Sequence, residues 1–317
     1  MAHIRTWYLK VLLCVGTFLL FILVWCHVTQ LLGEPKGGLG LDLSPLFSGD
    51  LVQPSCPEGL VLLILVTSHP AHTEQRKIIR KTWGAQSEMA AYPWQAVFLI
   101  GRTLDLELDW HLHKEHVANS DLLMGNYLDT YRNLTLKVMH GLKWAVDRCH
   151  PRYILKTDDD CFVNTDRLPT FLARTNRIRQ GLYVGSTFSR EKRVVIRDPS
   201  SKWYVSKQNY DPDTYPPYAS GIGYILSLDV AHTVLATAQT TPSIPMEDAY
   251  VGILADRAGV KLLSSTRFAK HNLKWSICNY RYLMVIHRVS PAEQELAQGN
   301  VQLANTDCTM NKEVKHW

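Results

Sequence analysis

Three adjacent carboxylates, Asp158, Asp159 and Asp160, directly follow the strand-like run 153-YILKT-157. Like charges this close repel one another, so we expect a cation among them. Carboxylate oxygens are the ligands that Mg²⁺ and Mn²⁺ prefer, and such ions often bridge a protein to substrate phosphates. The triplet therefore predicts a metal site for a phosphorylated substrate. A solvated turn with capping aspartates is the alternative.

A second acidic pair, Glu247 and Asp248, opens the helical pattern 245-PMEDAYVGILADRAG-259. When a hydroxyl attacks a carbon that carries a diphosphate, a carboxylate base must take its proton, and this pair could supply it. Favourable charge at the positive end of a helix is the alternative. His287 ends the apolar run 283-LMVIH-287. There an imidazole either packs in the core or completes a manganese site.

Further binding candidates are basic or aromatic. Arg76 and Arg80 are four residues apart and share one helical face. They could meet phosphates or lie along a solvated stripe. Trp203 could stack on a sugar or lie in an exposed edge strand. The basic loop 190-REKRVVIR-197 indicates a solvated surface, with acceptor contact as the alternative.

The elements that must position these side chains alternate between strand and helix in the first half of the chain. Strand patterns cover 60–68, 95–101, 121–124 and 153–157, and helical patterns cover 73–84, 105–118 and 133–149. This order predicts an α/β fold with a Rossmann-like, mostly parallel sheet flanked by helices. Ligands bind beyond the carboxyl ends of such strands, so Thr67 is expected near the acidic triplet. The less regular second half holds patterns at 214–227, 229–238 and 245–259.

The N-terminus carries a membrane-spanning pattern. Residues 11–28 are apolar and uncharged, close to the about 20 residues that a spanning helix needs. Arg5 and Lys10 precede this segment and predict a cytosolic tail over residues 1–10, with the remainder across the membrane. A cleaved signal peptide is the alternative, although 25-WCH-27 offers no small residue for cleavage.

The rest of the chain divides into a stem and a folded domain. Residues 29–55 are rich in Gly, Pro and Ser and predict a flexible stem, and residues 56–317 predict a luminal catalytic domain. The net charge of +5 comes without a dense Lys/Arg block, which argues against nucleic acid as a partner. The sequence leaves the oligomeric state open, with a homo-oligomer among the options.

Cysteine usage fits an exported domain, in which disulfides can form. The cysteines beyond the apolar segment are Cys56, Cys149, Cys161, Cys278 and Cys308. Their odd number leaves at least one thiol free or paired between chains, and we expect the free one to be Cys161, which lies in the acidic motif. The other four allow three connectivities. The tripeptide 133-NLT-135 makes Asn133 a glycosylation candidate.

Several blocks together make the chain recognisable: 76-RKIIRKTWG-84, 133-NLTLKVMHGLKWAVDRC-149, 155-LKTDDDCFVN-164, 215-YPPYASGIGYILS-227 and 247-EDAYVG-252. In this order they closely resemble the animal β-1,3-glycosyltransferases of the Golgi, which include β-1,3-galactosyltransferases and β-1,3-N-acetylglucosaminyltransferases. The resemblance runs from about Leu60 to Cys308. It implies a GT-A fold, an inverting mechanism on a UDP-sugar with Mn²⁺ or Mg²⁺, and a single-pass type II protein of the Golgi membrane.

The resemblance also implies roles for single residues. Asp248 matches the general base, and Asp160 and His287 match the metal ligands. The nucleotide would be held by Asp158, Asp159, Thr67, Arg76 and Arg80. The donor sugar or the acceptor would be contacted by Trp203, Ser220, Gly221, Gly223 and Glu247.

The sequence blocks point to two different donor sugars. The blocks 197–206, 245–252 and 278–291 look more like the galactosyl branch. Asp159 instead resembles the N-acetylglucosaminyl branch, and Ala219 stands where many galactosyl members carry Cys. We expect β-1,3 transfer of galactose from UDP-galactose to a terminal GlcNAc, GalNAc or Gal of a glycoprotein or glycolipid. UDP-GlcNAc is the alternative donor, and an inactive, anchored glycan-binding protein is the alternative of another class.

Overall fold

The computed structural model describes residues 53–85, 91–273, 275–309 and 314–317. All of these residues belong to one compact unit. The expected tail, the expected membrane anchor at 11–28 and most of the expected stem lie outside them. Within the described ranges, no helix has both the length and the apolar character needed to cross a membrane.

Strands and helices alternate through the first half of the domain, as the sequence patterns predict. The strands are β1 (Leu62–Thr67), β2 (Trp94–Arg102), β3 (Leu122–Leu128), β4 (Tyr153–Asp158), β5 (Cys161–Val163), β6 (Tyr183–Thr187), β7 (Ala219–Ser227), β8 (Leu262–Ser264), β9 (Phe268–Ala269) and β10 (Val285–His287). The α-helices are α1 (Thr73–Lys81), α2 (Leu106–Asn119), α3 (Leu134–Trp144), α4 (Leu168–Thr170), α5 (Leu228–Ala238), α6 (Glu247–Arg257) and α7 (Pro291–Asp307). Short 3₁₀ or π turns cover Tyr131–Asn133, Ala145–Cys149, Phe171–Thr175, Arg190–Lys192 and Ile277–Arg281.

The main sheet has seven strands in the order β3-β2-β1-β4-β7-β6-β8. Strand β7 is antiparallel to both of its neighbours, β4 and β6, and every other adjacent pair is parallel. This arrangement confirms the predicted mostly parallel α/β sheet. The antiparallel insertion of β7 was not predicted, because its partners lie far away in the sequence.

Both faces of the sheet are covered. In β1, Leu63 and Leu65 join one buried apolar cluster, whereas Leu62, Ile64 and Val66 join another. Alternate residues of a strand point to opposite faces, so the two clusters lie on the two sides of the sheet. The first cluster includes apolar side chains of α3, and the second includes those of α1 and α2. The prediction of helices on both sides is confirmed.

A smaller sheet, in the order β5-β10-β9, brings distant residues to the end of β4. In the main sheet, Thr67 pairs with Asp158, so β1 and β4 end side by side. The chain then turns through the acidic triplet into β5, where Cys161 pairs with His287 of β10. This register places the predicted histidine beside the triplet across about 130 residues of chain.

Two local expectations differ from the structure. The sequence pattern predicted a strand that ends near Met124, but β3 continues to Leu128. The pairing with β2 shifts register between Ile100 and Arg102 and then resumes, which extends the strand. Trp203 lies in a turn and not in an edge strand, and only Tyr204 makes an isolated bridge there.

The cysteines pair as Cys56–Cys149 and Cys278–Cys308. Cys161 is free and buried, as predicted. The first disulfide links Cys56, at the start of the folded domain, to Cys149 in the turn that follows α3. The second joins the end of α7 to the 3₁₀ turn that precedes β10, and so braces the segment that carries His287.

Candidate functional site

A buried lysine lies at the centre of the site. Lys156 interrupts the apolar pattern of β4, and its side chain is 1% exposed. Its Nζ lies 2.7 Å from Asp158 Oδ1, 2.7 Å from Glu247 Oε1 and 2.7 Å from the carbonyl oxygen of Gly221. Burial lowers the pKa of Lys156, but the charges of Asp158 and Glu247 outweigh it and leave the pKa well above its ordinary value. The ammonium group therefore stays charged and links β4, β7 and α6.

Glu247 is the partner of this lysine at the start of α6. Its Oε2 accepts a hydrogen bond of 2.9 Å from the Tyr224 hydroxyl, and the residue is 2% exposed. Burial raises the pKa of Glu247 to about 7, although Lys156 opposes the shift. Both carboxylate oxygens already have protein partners. The structure therefore gives Glu247 a place in the floor of the site, whereas the sequence predicted a substrate contact.

Asp248 is held in a fixed orientation by backbone amides. Its Oδ2 accepts from Gly221 N at 3.0 Å, and its Oδ1 accepts from Ala249 N at 2.8 Å. A Cβ at position 221 would lie 3.0 Å from Glu247 Oε1, so glycine allows this close approach. Burial raises the pKa of Asp248. A carboxylate with a raised pKa and a fixed orientation suits a general base.

Asp160 and His287 form a separate corner. Asp160 Oδ2 lies 3.2 Å from His287 Nε2, and His287 Nδ1 lies 3.1 Å from the carbonyl oxygen of Lys270. A bond from Nδ1–H to that carbonyl leaves Nε2 directed at Asp160, which is the usual arrangement of a metal-binding histidine. The described residues contain no cluster of three or more His, Cys, Asp or Glu with metal-ligand spacing. A cation here would therefore need further ligands from phosphate or water.

The three carboxylates of the triplet point to three different partners. Asp158 contacts Lys156 and also accepts a hydrogen bond from the Thr67 hydroxyl. Asp159 Oδ2 lies 2.8 Å from His72 Nδ1, just before α1. Asp160 faces His287. The repulsion expected among the three charges is thus relieved separately for each one.

These groups meet at a cavity of about 690 Å³. Its floor, which we define as Lys156, Asp158, Ser220, Gly221, Glu247 and Asp248, comes from β4, β7 and α6. One wall comes from residues 188–203, which we call the rim loop. His287 and Trp203 also line the cavity. The predicted site residues that it brings together are thus Asp158, Trp203, Ser220, Gly221, Glu247, Asp248 and His287.

Arg76 and Arg80 do not line this cavity. Arg76 is fully buried, and its guanidinium donates to Glu115, to Ser68 Oγ and to carbonyl oxygens of the loop before α1. These bonds leave Arg76 no free donor for a phosphate, which corrects the sequence-based expectation. Arg80 bonds to Asp121 at 2.7 Å and to Glu115 at 2.7 Å. The pair instead fixes α1 to α2 and to the start of β3.

Thr67, Asp159 and Asp160 lie beside the cavity without lining it, and Gly223 and Asn133 also lie outside the lining. A Cβ at Gly223 would lie 3.2 Å from Val285 Cγ1, so this glycine faces β10 and permits the two sheets to pack closely. The structure therefore gives Gly223 a packing role, whereas the sequence predicted a substrate contact. Asn133 Nδ2 donates to the carbonyl oxygen of Leu128 at 2.9 Å. Thr135, the third residue of the acceptor tripeptide, is buried against Ile244 O. Glycosylation of Asn133 stays a prediction.

The sequence analysis missed several lining residues. Lys156 had a usable signal, a single charge inside an otherwise apolar strand. The rim loop was expected to be mainly solvated, yet Lys192, Val194 and Ile196 line the cavity. Aromatic residues that lacked any periodic pattern complete the walls: Tyr131, Phe188, Tyr215 and Tyr218. Arg288 also lines it, from a left-handed backbone conformation with φ of 63°.

Two comparisons of the sequence with known proteins agree on one family. The sequence model described as Galactosyltransferase matches residues 74–266. Beta-1,3-galactosyltransferase 5 of Pan troglodytes is 35% identical over 234 residues, which cover 73% of this chain and 78% of that protein. Beta-1,3-galactosyltransferase 1 of Mus musculus is 32% identical over 234 residues, covering 73% and 71%. A solved galactosyltransferase with donor and acceptor sugar analogues covers 79% of this chain and 98% of its own, at 11% identity and a TM-score of 0.37.

Proposed function

The chain belongs to the galactosyltransferase family, and from that premise we propose that it transfers galactose from UDP-galactose to a terminal sugar in β-1,3 linkage, with inversion. The observation that carries the proposal is the placement of Asp248. Its carboxylate lines the same cavity as Asp158 and His287, fixed by two amides of β7 and α6. The candidate base and the candidate donor site thus share one space.

In the proposed reaction, an acceptor hydroxyl attacks the anomeric carbon while the bond to UDP breaks. Asp248 takes the hydroxyl proton, and the electron pair of the broken bond leaves with UDP. Asp248 lies at the cavity surface with a raised pKa, which favours acceptance of that proton. Lys156 and the amide of Gly221 hold the floor in place beneath the reacting atoms.

A divalent cation fits the corner formed by Asp160 and His287. One carboxylate oxygen and one imidazole nitrogen face each other there, and Lys270 O fixes the orientation of the ring. When bound, Mn²⁺ or Mg²⁺ would offset the negative charge of the departing diphosphate. Asp158, Thr67 and Asp159 are the side chains that would face the nucleotide.

The relatives support galactose over N-acetylglucosamine, because those found here are named beta-1,3-galactosyltransferases. UDP-GlcNAc remains the second candidate donor, since Asp159 is present. A binding-only role is disfavoured by the intact set of Asp160, Asp248 and His287, whose geometry serves bond breaking and is not needed for glycan binding.

The proposal extends to the setting of the enzyme. The apolar segment 11–28 would anchor the protein in the Golgi membrane as a single-pass type II protein, with the GT-A catalytic domain in the lumen. Acceptors would then be oligosaccharide chains of glycoproteins or glycolipids. The two disulfides support an oxidising compartment.

The test is UDP release by the purified chain with Mn²⁺, each donor and a panel of terminal sugars, followed by the mass of every product. A hexose added only from UDP-galactose would support the proposal. An added N-acetylhexosamine would assign the donor to UDP-GlcNAc. A folded protein that binds UDP but releases none with any acceptor would favour the binding-only alternative.

A further inference from the structure

We propose that the natural acceptor is an acidic glycan, whose sulfate or carboxylate group is bound by Lys192 and Lys202 of the rim loop. This inference rests on the proposed function and adds the substrate class to it. The two lysines line the same cavity as Asp248, yet neither belongs to the floor. They are therefore placed to select an acceptor without taking part in the bond-forming step.

The first support is the distribution of charge. The cavity's carboxylates, Asp158, Glu247 and Asp248, lie in the floor and are engaged by Lys156 or by backbone amides. Among the described residues, no carboxylate lies within the 4.0 Å ion-pair distance of Lys192 or Lys202. The rim therefore carries free positive charge, above a floor whose carboxylates already have protein hydrogen-bond partners.

Nearby cations of the same region behave differently. Lys207 lies 3.7 Å from Asp213, and Arg197 lies 3.8 Å from the same carboxylate. Neither of these two residues lines the cavity. Lys207 and Arg197, outside the cavity, thus share a carboxylate partner, whereas Lys192 and Lys202 of the rim have none among the described residues.

The second support is the position of Lys202. Its Nζ lies 4.6 Å from the centre of the Trp203 ring and 5.3 Å from that of Tyr131. Tyr131 is close enough to the base for the charge of Asp248 to act on its hydroxyl. The two rings provide a flat surface for a sugar, and the ammonium group at their edge meets a charged substituent of that sugar or of its neighbour.

The third support is a pair of like charges, Lys192 and Lys270, of which Lys270 is also attracted by the charge of Asp248. Lys192 is close enough to Lys270 for its charge to act on that ammonium group, and both line the cavity. Lys270 is already held by Thr187 O at 2.6 Å and by the Phe188 ring at 3.7 Å. An anion bound at Lys192 would relieve the repulsion between them.

The donor diphosphate is the competing source of negative charge. It would lie at the corner of Asp160 and His287, where a divalent cation offsets it. Lys202 lies instead beside Trp203 and Tyr131, and the charge of Asp248 acts on the Tyr131 hydroxyl more strongly than the charges of Glu247 and Asp158 do. We therefore assign the anion to the acceptor, and the experiment separates the two sources.

The experiment compares acceptors that differ only in charge. Full-length protein with saturating UDP-galactose and Mn²⁺ is assayed on p-nitrophenyl N-acetyl-β-glucosaminide and on its 6-sulfate. A second pair links N-acetylglucosamine to glucuronic acid or to glucose. We expect a KM about tenfold lower for the acidic member of at least one pair, since each exposed ion pair contributes up to about 1 kcal/mol. The pair that shows the preference identifies sulfate or carboxylate.

The variants are Lys192→Gln and Lys202→Gln, singly and together, with Lys207→Gln as the matched control from the same region. We expect the double variant to remove the preference for the acidic acceptor. The KM for the neutral acceptor and for UDP-galactose should stay unchanged, and the control should behave as wild type. Added salt should weaken the preference in the wild-type protein and in the control, which keep both lysines.

Equal KM values for the acidic and neutral members of both pairs would overturn the inference. So would a rise in the KM for UDP-galactose in the double variant, which would assign the lysines to the donor. Calorimetric binding of the same sugars to the protein with UDP and Mn²⁺ decides the case without turnover. Tighter binding of the acidic sugars to the wild type, with no such preference in the double variant, would uphold the recognition of acidic sugars. This result would stand even if no acceptor were galactosylated and the proposed function had failed.

Discussion

At the residue scale, Lys156 links the acidic triplet at the end of β4 to the acidic pair at the start of α6. Its ammonium group contacts a carboxylate at the end of its own strand and another at the start of α6. Three protons of the ammonium group meet three oxygen atoms, so the buried group is fully satisfied by the protein. The distance between Asp158 and Asp248, and with it the fit of donor and acceptor, depends on this arrangement.

Replacement of Lys156 by Met should therefore destabilise the fold. It leaves Asp158 and Glu247 without their buried cation, which typically costs about 3–5 kcal/mol. The double variant Lys156→Met with Glu247→Gln should recover part of the loss, because it removes one of the uncompensated charges. Urea unfolding of the three proteins measures both effects. A single variant as stable as wild type would contradict this role.

Replacement of Asp248 by Asn tests the base. Turnover should fall at least about 100-fold, because general base catalysis typically contributes that much. The dissociation constant of UDP should stay near the wild-type value, since the side chains expected to face the nucleotide, Thr67, Asp158 and Asp159, are unchanged. Asp256→Asn, an exposed position of the same helix, serves as control. Wild-type turnover in the Asp248 variant would exclude it as base.

Glu247 predicts a specific dependence of stability on pH. Its pKa is raised by burial from 4.5 to about 7. Between these values the native state binds the proton more tightly than the unfolded state, so the free energy of unfolding falls as pH rises through this window. Burial lowers the pKa of His140 to about 4. This shift makes the free energy of unfolding rise with pH, but it does so equally in the wild type and in the variant.

The measurement is urea unfolding of wild type and Glu247→Gln across that pH window. The stability of the wild type relative to the variant should decline as pH rises from 4.5 towards 7 and level off above it. The difference cancels the contribution of His140 and of other histidines. A constant difference over the window would show that Glu247 titrates at its ordinary value.

At the scale of elements, an ion-pair cluster joins α1 to α2. Glu115 accepts hydrogen bonds from both Arg76 and Arg80, and their charges outweigh burial and lower the pKa of Glu115. The arginines lie on one helical face, as their spacing predicts. That face packs against α2 and not against the cavity that contains Asp158 and Asp248.

Replacement of Glu115 by Gln should destabilise the protein by about 3 kcal/mol, because it removes the main counterion of a buried arginine. The affinity of the folded protein for UDP should not change. Glu107→Gln, on the same helix with a side chain that is 85% exposed, should leave stability unchanged. Unfolding midpoints and UDP binding give the two readouts. If the Glu115 variant bound UDP more weakly but were as stable as wild type, Arg76 and Arg80 would have a role in nucleotide binding.

At the scale of the whole molecule, two disulfides close loops of different length. Cys56–Cys149 spans a sequence separation of 93 and Cys278–Cys308 one of 30. A longer loop loses more entropy on closure in the unfolded chain. The double serine variant of the first pair should therefore lose more stability than that of the second, by about 1 kcal/mol. The reverse order in unfolding measurements would contradict it, and a reductant should abolish the differences from wild type.

The parallel half of the sheet was predictable, and the antiparallel half was not. The strands from β1 to β4 carry apolar runs separated by helical periods, which fix their type and direction locally. Strand β7 pairs Tyr224 with Lys156 and with Gly185. Nothing within its own residues specifies those partners. The rim loop likewise has no period, and its position follows from contacts such as Val195 N to Asp213 O at 2.9 Å.

The sequence by itself determined the family, which the comparisons confirm, and the chemical types of the site: adjacent carboxylates after a buried strand, an acidic helix start and a distant histidine. Only the tertiary structure decided which charge compensates which. It paired Asp158 with Lys156, Asp159 with His72 and Asp160 with His287, and it turned Arg76 towards Glu115. The reason is physical: local patterns reflect backbone periodicity, whereas charge compensation depends on neighbours in space, and long-range strand pairing alone sets those neighbours.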